Sequence, residues 1–243
     1  MAKIDYIEVA NKKTLEGFVE SYFPDPAWTT WIHPTTKQAY TLTLQTAPQL
    51  SSTDFNACFK LIELTSSDDY RKSKDGWKPK AKKKEMRLLD LKYLLVKKGD
   101  EIVGFLSFMP TYEDEKQVVY CYEVHLGKEV RGTGLGGILM GHLTTIAKAI
   151  PLTEKVMLTV FTRNEHAVAF YAKLGYEKDE YSPEPRLLRN GTVVESESQI
   201  KVLLLISNDC LMFAGLNCFG LGFVPNSSSA PESAQNTLFA VML

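Results

Sequence analysis

Cysteine is scarce and poorly placed for chemistry. The four residues, Cys58, Cys121, Cys210 and Cys218, are scattered through 243 positions, with no C-x-x-C pair and no metal-ligand spacing. That excludes a disulfide framework and a cysteine-held metal centre. An excess of one charge is also missing: 28 basic residues face 29 acidic ones, for a net charge of -1. The whole chain therefore gives no signal for nucleic acid or a membrane surface. The start, "MAKIDYIEVANKKTLEG", lacks the continuous apolar core of a signal peptide. These absences predict an intracellular, reduced, metal-free protein.

What charge there is lies unevenly. Residues 71–87, "RKSKDGWKPKAKKKEMR", form a basic run, whereas no Lys or Arg follows Lys201. The run reads as a solvated face, or else as a nuclear-import or nucleosomal DNA contact.

Periodicity predicts the elements. Residues 2–22 read as a peripheral helix with Ile4, Ile7, Leu15, Phe18 and Tyr22 as its apolar positions, broken by the three prolines of "PDPAWTTWIHP". "AYTLTLQ" alternates like a half-buried strand, and "SSTDFNACFKLIEL" offers a cap before a helix. "LKYLLVKKGDEIVGFLSFM" reads as a hairpin about Gly99-Asp100, and "QVVYCYEVHL" as a third strand. A helix over 134–149, with Leu135, Ile138, Leu139, His142 and Ile146 on one face, leads to the buried strand "KVMLTVF". His142, on that apolar face, reads as a packed core residue. "NEHAVAFYAKLGY" is a short helix capped by Asn164 and stopped by Gly175, with a further strand at "YEKDEY". A hairpin feeding a β-α-β unit implies an α/β fold with a mixed sheet flanked by helices. The chain divides into an N-terminal extension (1–50), a central domain (51–190) and an atypical tail (191–243).

Gly132-Thr133-Gly134-Leu135-Gly136-Gly137 is literally G-x-G-x-x-G. A dinucleotide fold needs the first glycine directly after its strand, an acid ending the next strand, and the motif near the start of the domain. Here "GKEVR" intervenes, the next strand ends in Thr162-Arg163-Asn164, and several strands come first. No Gly-Lys-Ser/Thr follows, so a P-loop also fails. What remains is Arg131, a glycine-rich turn and a helix N-terminus, which together suit a phosphate.

Arg131-Gly132-Thr133-Gly134-Leu135-Gly136 resembles the R/Q-x-x-G-x-G/A signature of the GCN5-related N-acetyltransferases, and "NEHAVAFYAKLGY" resembles that superfamily's second motif. "YCYEV" (120–124), "VMLTVF" (156–161) and "YRKSKDGWKPKAKKKEM" are similar to its histone-specific N-alpha-acetyltransferase branch, which modifies the terminal serine of chains beginning Ser-Gly-Arg-Gly. The resemblance spans roughly residues 55–190. It implies that superfamily's fold, acetyl-CoA as cosubstrate, no metal, histone tails as substrate, and ribosome or nucleosome proximity. It further implies a monomer in nucleus and cytoplasm, with no membrane and no sequence-specific nucleic acid partner.

The same resemblance supplies roles. Glu123 is the implied general base, although a strand carboxylate paired with a lysine across the sheet fits the residues as well. Val124, His125 and Leu126 would hold the pantetheine arm through their backbone, and the loop from Arg131 to Gly137 the diphosphate. Asn164 would touch the cofactor. Tyr171 either protonates the leaving thiolate or simply packs on the sheet. Tyr120 and Tyr122 share one face of a regular pleat, opposite Glu123, so only a bulge would unite them in one pocket. Tyr70, Trp77, Glu113, Tyr122 and Thr159 match positions near the peptide, and Glu113 is the implied partner of its arginine. A solvated loop is the alternative reading of Glu113, Asp114 and Glu115. Thr111 stands where an acid is expected, and Asp75 where a second tryptophan is usual. Beside a basic peptide, the lysines of the basic run must point away from the groove.

The branch ends in a strand bearing Tyr-x-Ile-Leu, which is missing after Pro185. From "SQIKVLLLIS" onward the chain reads as a substitute strand with a disordered end, a weak membrane anchor, or translated non-coding sequence. The last reading predicts that residues 199–243 are foreign to the fold.

Overall fold

The computed structural model describes residues 4–205, apart from 188, 191 and 195. Two short helices come first, α1 (Tyr6–Lys12) and α2 (Leu15–Tyr22). The single helix expected over 2–22 is thus broken: Thr14 takes an extended backbone and caps α2 by accepting from the Gly17 N–H. Nor is the segment peripheral, since Ile7, Phe18 and Tyr22 lie inside the larger core. A 3₁₀ turn (Pro26–Thr29) leads into β1 (Thr30–Ile32) and β2 (Ala39–Thr46), whose Tyr40, Leu42 and Leu44 point inward as the alternation predicted.

Helix α3 (Ser52–Arg71) is capped by Ser51, and α4 (Pro79–Glu85) starts at a proline. The long antiparallel strands β3 (Lys92–Lys98), β4 (Glu101–Glu113) and β5 (Lys116–Leu126) follow. Helix α5 (Leu135–Ala149) then crosses to β6 (Lys155–Phe161), which runs parallel to β5. Along α5 the buried stripe is Leu135, Leu139, Leu143 and Ile146 with Met140 and Ala147. Ile138, expected on it, is exposed; His142 is half-buried, its ring edge-on to Phe23. Helix α6 (Glu165–Lys173), β7 (Glu177–Lys178) and a small ribbon of β8 (Arg186–Leu187) with β9 (Val193–Val194) complete the approach to β10 (Ser198–Leu204).

Eight strands form one sheet in the order β1-β2-β3-β4-β5-β6-β10-β7, antiparallel everywhere except β5–β6. One face carries α2, α5 and α6 over the larger core; the other carries α3 and α4 over a core that includes Phe55, Phe59, Ile62, Tyr93, Phe105, Tyr120 and Tyr122. The sheet runs across both boundaries drawn from the sequence, since β1 and β2 precede residue 51 and β10 follows residue 190.

Residues 198–204 form strand β10, as the substitute-strand reading of this segment expects. It pairs with β6 along its whole length, from Ser198 opposite Phe161 to Leu204 opposite Lys155. A strand as buried as β6 has ladder groups on both edges to satisfy, and "SQIKVLL" supplies the second partner. Residues 206–243, with Cys210, Cys218 and the Ser-rich stretch, lie outside the described residues. No helix among the described residues is long and apolar enough to cross a membrane.

Candidate active site

A bulge in β5 organises the site. Opposite β4, Ser107 pairs with Glu123 and Phe108 with Cys121, so Tyr122 is one residue too many for the ladder. Two successive side chains consequently face the same way. Tyr120 and Tyr122 both enter the core beneath α3 and α4, their rings 5.5 Å apart, and Glu123 reaches Lys82 of α4 on that same face. The irregularity that a regular pleat would have forbidden is present.

Glu123 is 2% exposed and both its oxygens are engaged. Oε1 accepts from Lys82 Nζ at 2.8 Å, and Oε2 lies 2.5 Å from His125 Nε2. Burial alone pushes the carboxyl up, but Lys82, and after it His125, outweighs burial and holds it below the ordinary carboxylate range. Lys82 also donates to Glu85 at 2.9 Å and stands 5.0 Å above the Tyr70 ring. Glu85 is pushed up by burial, against the pull of Lys82. Burial on its own lowers Lys82, yet the surrounding Glu123, Tyr70 and Glu85 raise it overall, so it stays charged.

The sequence reading missed Lys82. It lies within the basic run taken as a solvated face, yet it is 5% exposed and points at the candidate base. Its neighbours Lys72, Lys74, Lys78, Lys80 and Lys84 are exposed as expected. The available signal was Met86, four residues on and buried, which marks the inward side of α4.

Beside Glu123 the sheet opens. The parallel ladder joins Val118–Cys121 to Lys155–Leu158 and stops there, leaving Tyr122 to Leu126 unpaired with β6. The cleft leads to the glycine-rich loop. Gly132 and Gly134 adopt φ of 69° and 87°, in the left-handed region that glycine enters freely, and a Cβ at either would meet nothing within 4 Å. Gly134 is the N-cap of α5, while Gly136 packs against Phe170 and Gly137 approaches Leu174. Leu135 is buried. Arg131 Nε donates to the Leu126 carbonyl at 2.8 Å and Thr133 Oγ1 to the Val130 carbonyl at 2.6 Å, which brace the turn. Val124, His125 and Leu126 are buried along the open edge. Asn164 caps α6, its Oδ1 accepting from the Ala167 N–H at 3.0 Å. Tyr171 is fully buried, its hydroxyl has no hydrogen-bond partner among the described residues, and burial pushes its pKa upward. Open ladder groups, an unobstructed loop over a helix N-terminus and an orphan hydroxyl fit an extended thioester carrying a diphosphate.

Several of the residues that the resemblance sets near a peptide touch one another. Tyr70 packs edge-on to Phe161 and 5.4 Å from Trp77, which stacks on Phe59 and whose buried Nε1 lacks a partner among the described residues. Tyr120 OH and Thr159 Oγ1 are 2.6 Å apart. Glu113 ends β4; burial and then Asp114 push its pKa up, and its charge acts on both Tyr120 and Tyr122. Asp114 and Glu115 form the tight turn, at positive φ. Asp75 lies 3.8 Å from Lys78 and makes no aromatic wall.

A mixed sheet with one parallel pair splaying beside a glycine-capped helix is an acyltransferase architecture. Solved proteins of Streptococcus mutans UA159 (20% identical, TM-score 0.50, covering 68% of this chain and 98% of theirs) and Pyrococcus horikoshii OT3 (15%, 0.50, 68% and 99%) share the fold. The model of the Acetyltransferase (GNAT) family matches residues 57–176, nearly half of the chain. It is 29% identical over 154 residues to N-alpha-acetyltransferase 40 of Saccharomyces cerevisiae, covering 54% of each protein. The chain thus spans about half the length of that curated relative.

Proposed function

We propose that the chain is a peptide N-alpha-acetyltransferase, moving acetyl from acetyl-CoA to the N-terminal serine of histones that begin Ser-Gly-Arg-Gly. The observation that carries this is the β5 bulge, which sets Glu123, Tyr120 and Tyr122 on one face beside the open β5 edge. The N–H groups of the Arg131–Gly137 turn take the diphosphate, and the backbone of Val124, His125 and Leu126 takes the pantetheine arm.

An α-amine with a pKa of about 7.7–8.0 is substantially neutral near pH 7. Once the amine nitrogen bonds the acetyl carbon it becomes strongly acidic, so a carboxylate of low basicity is adequate to receive its proton. Glu123 receives it, the N–H near Val124 donates to the developing oxyanion, and the Tyr171 hydroxyl is the proton source for the departing thiolate. Tyr70, Trp77 and Thr159 wall the peptide, and Glu113 takes its arginine. Of the basic run, Lys82 points at Glu123, while Lys72, Lys74, Lys78, Lys80 and Lys84 are exposed to solvent. A histone substrate places the protein in nucleus and cytoplasm, near ribosomes or nucleosomes.

The test is coenzyme A release with Ser-Gly-Arg-Gly peptide, its Arg→Ala form, and spermidine. Turnover on the first alone is expected; equal rates on all three would remove the histone claim. A second reading, a binder of acetyl-CoA or histone without turnover, draws on both Glu123 oxygens being tied in ion pairs. Cofactor binding with no turnover on any substrate would favour it.

A further inference from the structure

Thr65, on α3, ends the chain of contacts that begins at Glu123. Its Oγ1 lies 2.5 Å from His125 Nδ1, 2.9 Å from the Leu61 carbonyl and 3.3 Å from Ser66 Oγ. A hydroxyl has a single proton, and a carbonyl only accepts. When that proton goes to Leu61, Nδ1 must be the donor to Oγ1; when it goes to Nδ1, that nitrogen is bare. At the other end of the ring, Nε2 faces a carboxylate oxygen, which also only accepts, so Nε2 carries a proton in both cases. One set of heavy-atom positions therefore serves two states that differ by one proton. In the first, the ring is neutral and Thr65 donates to it. In the second, the ring is an imidazolium that donates to Thr65, whose hydroxyl turns to Leu61.

We infer that His125 is a positioning residue for Glu123: its Nε2–H fixes the carboxylate opposite Lys82, and the presence or absence of a proton on Nδ1, accommodated by Thr65, sets how readily Glu123 takes the proton of the amine. This rests on the reading of Glu123 as the proton acceptor. In the step itself the N–C bond forms, the C–S bond breaks, and the proton leaves nitrogen for Glu123 and then solvent. His125 exchanges no proton with the substrate. With a neutral ring, Lys82, Glu85 and Glu123 carry one net negative charge; with an imidazolium the four groups sum to zero, and the carboxylate attracts a proton less strongly. Around the pair stand Thr65 and Tyr70 from α3, Lys82 and Glu85 from α4, Tyr93 from β3, and the Phe105 ring of β4, 5.5 Å from the imidazole.

The dependence of kcat on pH, with both substrates saturating, reports groups of the bound complex and not the free amine. Wild type should lose kcat toward acid with an ionisation that His125→Gln abolishes, since glutamine keeps an N–H for Glu123 but has no proton to gain. Near neutral pH that variant should lose about tenfold at most, short of the roughly 10²- to 10⁴-fold that loss of a base costs, with peptide KM unchanged. Thr65→Val should displace the ionisation along the pH axis and Thr65→Ser should restore it. Superimposable profiles for wild type and His125→Gln would overturn the inference. A second readout needs no turnover: the ¹⁵N NMR titration of His125 in the free protein should move in Glu123→Gln. A titration that ignores Glu123→Gln overturns the coupling even if peptide is acetylated. A responsive titration in a protein without turnover upholds the coupling and removes the acetyl-transfer reading instead.

Discussion

Lys82 Nζ sits 2.8 Å from Glu123 Oε1, and neither side chain is more than 5% exposed. The pair joins α4 to β5 beneath the helices that cover one face of the sheet, and Glu85 shares the lysine. Removing the cation leaves buried Glu123 with His125 alone and half-buried Glu85 without its ion-pair partner. Lys82→Met should therefore destabilise by about 3–5 kcal/mol in urea or guanidinium unfolding, and adding Glu123→Gln should recover part of it. A single variant as stable as wild type would show that water reaches the cluster.

Glu123→Gln addresses the chemistry. It should lower kcat by about 10²- to 10⁴-fold and leave acetyl-CoA affinity, measured by calorimetry, nearly unchanged. Undiminished kcat at neutral pH would mean that another group or bulk water takes the proton.

Acid should act on stability through the same carboxyl. Because the folded protein holds Glu123 below the ordinary carboxyl value of 4.5, its contribution is complete above that pH and fades as pH falls through the folded value. Glu85, raised in the fold, has the opposite sign and gains as acid protonates it. The stability gap between wild type and Glu123→Gln should therefore narrow below pH 4.5, as followed by denaturant midpoints; a gap that widened on acidification would reverse the assigned direction.

Gly134→Ala separates strain from obstruction. A Cβ there meets nothing in the protein, so the cost of placing alanine at φ 87° should be about 1–2 kcal/mol of backbone strain. The new methyl also changes the turn that would hold a diphosphate, so acetyl-CoA affinity should fall. A loss of stability with unaltered affinity would place the nucleotide elsewhere.

Tyr171→Phe removes a buried hydroxyl that has no partner among the described residues. Thermal stability should stay level or rise slightly, while kcat drops if the hydroxyl protonates the thiolate. A full-rate variant would leave Tyr171 as a packed aromatic alone.

Much of this was legible in the sequence because local rules governed it. Asn164, Ser51 and Gly175 stand where helix caps and stops belong, and each serves as one. The need for a bulge followed from the spacing of Tyr120, Tyr122 and Glu123, although nothing in "YCYEV" says that one forms; the register against β4 does. Lys82 was hidden because a lysine among lysines carries no local mark of burial, and its carboxylate lies forty-one residues away in sequence. Strand β10 was hidden for a related reason. "SQIKVLLLIS" reads alike as strand, span or foreign sequence, and only the open edge of β6 shows that its first residues pair as a strand.

The place of β10 bears on how the protein comes into being. During synthesis β6 emerges well before the strand that will cover its outer edge, and α6, β7 and the small ribbon are made in between. A nascent chain thus passes through an interval in which an apolar strand offers bare amides and carbonyls to any neighbour. Folding yield in the cell should depend on how quickly that late strand arrives, and so on the rate of elongation or on a chaperone that shields the gap.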